Sequence, residues 1–182
     1  MNKEHIRREL LNIRNNLNDK DELSSKINFK VIDYIKNNFS DPKVASFVSL
    51  KNEVNTSLIN NNFRNIYLPI VHPFIKHSLW FAKDSKEYYL NKYRIKEPRY
   101  SVTEIISAWE LDIIIVPIVG FNRDKFRMGM GGGFYDYTLS FKKNCNSPLT
   151  IGIAFDEQQN DDIIIDIYDI KLDLIITPTR IL

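Results

Sequence analysis

Leu111-Asp112-Ile113-Ile114-Ile115-Val116-Pro117-Ile118-Val119 runs directly into Gly120-Phe121-Asn122-Arg123-Asp124-Lys125-Phe126-Arg127-Met128-Gly129-Met130-Gly131-Gly132-Gly133-Phe134-Tyr135-Asp136. The first part is apolar without alternation, the pattern of a strand in a sheet covered on both faces. The second part holds Gly129, Gly131, Gly132 and Gly133 within five positions, in a chain with 6 glycines among 182 residues. Average usage would supply about 13. A chain this poor in glycine that gathers most of it in one place needs unusual backbone there. The spacing predicts a buried strand over residues 111–119, a glycine loop, and a helix over residues 131–141.

Working outward, Ile6, Leu10, Ile13 and Leu17 recur at helical spacing and predict a helix over residues 3–17, with Lys3, Arg7 and Arg14 together on another face. Ile27, Val31, Ile32 and Ile35 predict a second helix over residues 22–39, stopped by Ser40-Asp41-Pro42. Strands are expected over residues 43–50, 66–71, 79–82, 150–155 and 173–177, with a short helix over residues 54–63. The polar, tyrosine-rich stretch 84–107 reads as mostly loop, and 163–170 is ambiguous. Strands alternating with helices give an α/β fold, a three-layer α/β/α arrangement with a mainly parallel sheet. No internal repeat or long linker divides the chain, so residues 1–182 are expected to form a single domain.

Composition excludes several classes. The chain is 43% hydrophobic and 12% aromatic, enough for a sizeable core. A formal charge of +2 gives no general attraction for nucleic acid or a membrane surface. Cys145 is the one cysteine, so an internal disulfide and a cysteine metal site are both excluded. Charges from Lys3 to Arg8 stand where a signal peptide needs an apolar run, and no stretch approaches the roughly 20 apolar residues of a membrane span. A cytoplasmic protein, acting as a monomer, is the expectation.

Glycines between a strand and a helix let backbone N–H groups converge on an anion. Arg127 adds a forked donor for phosphate oxygens, and Asp136 a carboxylate for hydrated Mg²⁺. The Gly-Lys-Ser/Thr ending of a P-loop is missing, and the spacing differs from the dinucleotide fingerprint. His5, His72 and His77 fit no metal-ligand pattern, so surface or capping roles are expected for them.

Arg127-Met128-Gly129-Met130-Gly131-Gly132-Gly133-Phe134-Tyr135-Asp136 resembles the Arg-Leu-Gly-Tyr-Gly-Gly-Gly-Tyr-Tyr-Asp signature of the 5-formyltetrahydrofolate cyclo-ligase family. Lys3 and Arg7 match that family's N-terminal Lys-x-x-x-Arg. Val48 to Thr56, Glu97-Pro98, Gly152 to Phe155 with Gln158, and Asp173 to Thr177 correspond in order and spacing, so the resemblance covers nearly the whole chain. The chain departs from the pattern at Asn122 (usually Asp), Lys125 (usually Gly), Phe134 (usually Tyr), Tyr137 (usually Arg) and Tyr168 (usually His).

The resemblance implies an enzyme that uses ATP to convert 5-formyltetrahydrofolate into 5,10-methenyltetrahydrofolate with release of ADP and phosphate. It implies that Lys3, Arg7, Arg127 and the backbone from Met128 to Tyr135 bind ATP, with Arg127 and Lys3 serving catalysis. It implies that Asp136 and Asp173 hold Mg²⁺, and that Val48, Glu53, Tyr93, Met130, Phe134 and Tyr135 bind the folate. Lys86, Lys92, Arg94 and Lys96 are then placed to meet its anionic glutamate tail. Two other readings stand beside this one. Asn122 and Lys125 motivate a non-catalytic folate- or nucleotide-binding module on the same fold. The basic, tyrosine-rich stretch motivates a weaker reading as an RNA-binding loop.

Overall fold

A computed structural model describes residues 2–182. Helix α1 (Lys3–Asn16) starts at Asn2, whose side-chain oxygen accepts from the His5 N–H at 2.9 Å, a cap for one of the helix's free donors. Helix α2 (Lys20–Asn38) follows and buries Ile27, Val31 and Ile35. The chain then alternates through β1 (Val44–Ala45), α3 (Ser57–Asn62), β2 (Ile66–Val71), β3 (Leu79–Lys83), β4 (Tyr88–Leu90), β5 (Lys96–Pro98), β6 (Ile105–Ile106) and β7 (Ile113–Pro117). It ends with β8 (Gly120–Phe121), β9 (Arg127–Met128), α4 (Phe134–Thr138), β10 (Leu149–Ile153) and β11 (Leu174–Ile176).

Seven strands form one sheet in the order β11-β10-β7-β1-β2-β3-β6. Its pairings are parallel from β11 to β2 and antiparallel from β2 through β3 to β6. This is the mainly parallel sheet expected from the alternation of elements. Strand β7 lies in its interior, and Ile113, Ile114, Ile115 and Val116 are all inaccessible to solvent. Burial of each such side chain contributes about 1.5–3 kcal/mol, which is why this run lacks alternation. On one face α2 and α3 pack through Ile27, Val31, Ile35 and Ile59 on Val44, Ile66, Ile113 and Ile151. On the other, Leu111 and Leu139 join Ala45, Phe81, Ile114, Val116 and Ile175.

A third, smaller cluster determines where the site forms. Ile6 and Leu10 of α1 pack on Val119, Met128 and Ile163. A side chain at Gly120 would put its Cβ 2.4 Å from Leu10 Cδ1, so this glycine admits α1 close to the β8–β9 ribbon. Lys3 and Arg7 are thereby carried to the glycine loop.

Several expected elements are shorter or different. Ladder pairing in the 43–50 run covers Val44 and Ala45, and the chain from Phe47 to Leu50 leaves the sheet to border a cleft. The 84–107 stretch is mostly loop, as expected, and within it stands the antiparallel hairpin β4–β5. The helix after the glycines spans five residues and gives way to a 3-10 turn at Ser140–Asn144. Residues 163–170 form no helix or strand. No helix among the described residues is long and apolar enough to cross a membrane.

Candidate active site

A cleft of about 610 Å³ opens beside the carboxyl end of β7, where open α/β sheets usually bind ligands. Lys3, Arg7, Val48, Glu53, Tyr93, Arg127, Asp136 and every residue from Met128 to Tyr135 line it. Sequence positions from 3 to 136 therefore meet in one cavity. Asp173 stands outside that lining.

One half of the cleft is polar and cationic. No backbone N–H from Gly129 through Gly133 takes part in the turn and loop hydrogen bonds of the described residues. Gly131 and Gly133 have φ of 96° and 66°, a region that side-chain-bearing residues rarely occupy. Arg7 Nε donates to the Gly129 carbonyl at 2.9 Å, and its Nη1 to Glu4 at 2.6 Å. Lys3 Nζ lies 2.5 Å from Asp166 and 2.7 Å from Asp169. Burial lowers the Lys3 pKa, but these two carboxylates outweigh it and hold the ammonium above its ordinary value. Because α4 is so short, its dipole adds little. Loop amides and three cations supply the attraction for an anion.

Arg127 is buried, and its Nη1 donates to Asp136 Oδ1 at 2.8 Å. The same oxygen accepts from the Ile170 N–H at 3.1 Å. Nε and Nη2 of Arg127 and Oδ2 of Asp136 make no hydrogen bond among the described residues. A fork and a carboxylate are thus fixed through one atom each and offered through the others. No cluster of three or more His, Cys, Asp or Glu side chains suited to a metal occurs among the described residues. Mg²⁺ ordinarily binds through one or two carboxylates plus phosphate and water oxygens, so the free Asp136 oxygen fits that ion in the company of a nucleotide.

The other half is apolar with an acidic floor. Val48, Pro69, Val71, Leu79 and Ile95 form its walls. Tyr93, near the tip of the β4–β5 hairpin, meets Phe134 edge to face at 5.8 Å. Phe134 serves both the cleft and the core, since it also packs on the second cluster. Glu53 is nearly buried, with Oε2 accepting from the Leu50 N–H at 2.8 Å. Burial raises its pKa, opposed by that bond and by Arg14. The Tyr135 hydroxyl is buried without a hydrogen-bond partner among the described residues. Burial and the nearby Glu53 charge raise its pKa. An orphaned hydroxyl here, between Glu53 and Arg127, suits a ligand that supplies its partner.

Asp173, expected as a second metal carboxylate, is engaged with the protein through one of its oxygens. Its Oδ2 accepts from Thr150 N (2.7 Å), Thr150 Oγ1 (2.7 Å) and Lys142 Nζ (2.9 Å). These bonds tie the start of β11 to β10.

The structure also adds residues that sequence did not single out. Asp166 and Asp169 come from the irregular 163–170 stretch and hold Lys3. Glu97 is buried, accepting from Val71 N (2.9 Å), Asn91 Nδ2 (2.7 Å) and Tyr89 Oη (2.6 Å), and so pins the hairpin to the sheet. Its position beside Pro98 gave a sequence match but no hint of this burial.

The departures at Asn122 and Lys125 preserve the β8–β9 turn. Asn122 Oδ1 accepts from Phe126 N at 2.9 Å, as an aspartate would. Lys125 takes φ of 67°, the conformation glycine favours, and its Nζ donates to the Asp173 carbonyl at 2.9 Å. Of the three clustered tyrosines, Tyr88 and Tyr89 spend their hydroxyls on Asp84 and Glu97. His72 caps a turn by accepting from Phe74 N and Ile75 N, and His77 bonds the Gly132 carbonyl at 2.7 Å.

Comparison with known proteins gives a consistent result. The model of the 5-formyltetrahydrofolate cyclo-ligase family matches residues 1–178. A 5-formyltetrahydrofolate cyclo-ligase from Haemophilus influenzae is 34% identical over 71% of this chain and 72% of its own. The Escherichia coli K12 enzyme of that name is 34% identical over 76% of this chain and 79% of its own. The structure of a 5,10-methenyltetrahydrofolate synthetase from Mycoplasma pneumoniae superposes with a TM-score of 0.75 at 26% identity, covering 98% of this chain and 99% of the other.

Proposed function

The chain belongs to the 5-formyltetrahydrofolate cyclo-ligase family, a family of ATP-dependent enzymes, and from that premise we propose how its cleft carries out the reaction. The substrates are 5-formyltetrahydrofolate and ATP, and the products are 5,10-methenyltetrahydrofolate, ADP and phosphate. The observation that supports this most is the division of one cleft into a cationic glycine-loop half and an apolar half floored by Glu53.

A formamide oxygen is a poor leaving group. Transfer of the ATP γ-phosphoryl group to it forms an N5-iminium phosphate and releases ADP. The substrate's N10 then attacks the activated carbon and loses its proton, and the C–O bond breaks to release phosphate. Such chemistry depends on in-line positioning and charge neutralisation rather than on a protein nucleophile. Amides of Gly129 to Gly133, with Lys3 and Arg7, bind the phosphate chain. To reach it, Lys3 exchanges its carboxylate partners for phosphate oxygens. Arg127 directs its free nitrogens at the transferring group. Asp136 would hold Mg²⁺, which when bound neutralises phosphate charge and fixes the phosphate geometry. Glu53 accepts from the amino and ring N–H edge of the pterin, while Val48, Met130, Phe134, Tyr135 and Tyr93 enclose its rings. Lys92, Arg94 and Lys96 on the hairpin meet the glutamate tail. The protein acts as a monomer in the cytoplasm, a reducing compartment that suits the free, exposed Cys145.

The test is spectroscopic. Purified protein with Mg-ATP and 5-formyltetrahydrofolate is expected to generate the near-ultraviolet absorbance of the methenyl product with matching ADP release. A folded protein giving no absorbance change would overturn the proposal.

A further inference from the structure

One buried cation takes no part in the scheme above. Arg14 lies in the last turn of α1 with 5% of its surface exposed. Its Nη1 is 3.7 Å from Glu53 Oε1, within ion-pair reach but beyond a hydrogen bond. Its Nε has no partner among the described residues. Buried guanidinium–carboxylate pairs that serve stability close into bonded forks, because each unmade bond carries a desolvation cost. This pair has not closed. Oε2 of Glu53 is occupied by Leu50 N–H, and Oε1 makes no hydrogen bond among the described residues.

We propose that Arg14 is a positioning residue for the folate half of the cleft: its guanidinium stands against the buried Glu53 carboxylate without closing onto it, and leaves Oε1 free to accept from a ligand. The inference rests on Glu53 facing the pterin. It assigns to Arg14 the preference for a heterocycle edge that presents adjacent N–H donors, because an ionised carboxylate only accepts.

The groups facing Glu53 support this division of labour. From α1 comes Arg14, which favours the ionised form. From α4 comes the neutral Tyr135 hydroxyl, with Arg127 beyond it. On the opposite side, Asp19, Lys20, Asp21 and Glu22 share with Glu53 a polar depression at the α1–α2 junction. They carry mixed charge at a wetter surface. Burial pushes the Glu53 carboxyl toward protonation, and Arg14 is the cation that opposes it. Without Arg14, Glu53 would hold its proton to higher pH and present a donor to a donor.

The experiment is steady-state kinetics of Arg14→Met, Arg14→Lys and Glu53→Gln from about pH 6 to about pH 9. One unit of upward shift in Glu53 costs up to about tenfold in folate binding, reached in full below the wild-type pKa. Arg14→Met is therefore expected to raise the folate KM toward about tenfold at the acid end of this range, with recovery as pH rises. Its ATP KM should stay near the wild-type value. Arg14→Lys should restore the wild-type profile. Glu53→Gln should raise the folate KM at every pH, and adding Arg14→Met to it should change little. Should Arg14→Met fail to fold, Arg14→Gln carries the same comparison. A folate KM in Arg14→Met that is pH-independent, or that shifts together with the ATP KM, would overturn the role of Arg14. Absence of turnover by the wild-type protein would instead overturn the functional reading beneath it.

Discussion

Replacing Asp173 by alanine is expected to damage the fold before it damages the chemistry. Its Oδ2 receives three donors, Thr150 N, Thr150 Oγ1 and Lys142 Nζ, all within 2.9 Å. Thr150 is wholly buried, and the Lys142 side chain is 5% exposed. Removing the carboxylate strands a backbone donor and a hydroxyl, and takes the counter-charge from the Lys142 ammonium, which keeps the Asn146 and Pro148 carbonyls as acceptors. Breaking a buried ion pair from one side costs about 3–5 kcal/mol. The Asp173 side chain is 35% exposed, so water relieves part of this, and about 3 kcal/mol is the working figure. For a chain of this size about 1 kcal/mol shifts Tm by roughly 2–4 °C, giving a fall of about 6–12 °C. Asp173→Asn, which keeps one acceptor, should lose about half as much. Thermal melts give the stability, and a Mg²⁺ titration of turnover well below Tm gives the metal response, expected to be unchanged. If Asp173→Asn melts with the wild type while its Mg²⁺ requirement rises sharply, the carboxylate is a metal ligand and the structural argument fails.

Arg127→Ala removes a donor aimed at transferring charge and should lower kcat by about 10²–10³; a near-normal kcat would refute its placement. Gly131→Ala forces a side chain into φ of 96°, a strain of about 1–2 kcal/mol, with its methyl 3.5 Å from the Arg7 guanidinium. The ATP KM should rise with the folate KM unaffected, and equal effects on both would contradict the division of the cleft. Glu97→Ala orphans the Val71 amide and frees Asn91 and Tyr89, so the hairpin should become protease-sensitive and the folate KM should rise. Proteolysis at the wild-type rate would mean the hairpin is held by something else.

How far the sequence could be read followed from the range of the interactions involved. Strand 66–71 matched residue for residue because its alternation is a local property of a half-covered strand. The 43–50 run is equally β-rich, yet it pairs at Val44 and Ala45 and then turns away. Propensity cannot say where a strand leaves its sheet. The hairpin carrying Tyr93 escaped notice because what stabilises it is Glu97, a buried carboxylate satisfied by Tyr89 and Asn91 of the hairpin and by the Val71 amide of β2. Arg14 looked like one more member of a basic stripe with Lys3 and Arg7, since helical spacing fixes direction but not what a neighbouring element will cover. The glycine loop was legible because four glycines leave a mark no packing is needed to interpret. Asp173 reads ambiguously for the opposite reason: a carboxylate beside an apolar run is the same string whether it binds a metal or fastens two strands.

The cationic half of the cleft is assembled from parts distant along the chain. Arg7 reaches a carbonyl 122 residues away, and Lys3 a carboxylate 166 residues away. Closing such long loops is entropically costly, and α1 rests on a small hydrophobic cluster. A nucleotide clasped between α1, the glycine loop and the 166–169 rim would act as a reversible staple across the whole topology. Its binding energy would add to the stability of the closed chain by mass action, so occupancy and global integrity become linked quantities. Detachment of α1 is the opening that nucleotide would suppress first, and amide exchange in α1 should slow in step with that in the rim when ATP is added.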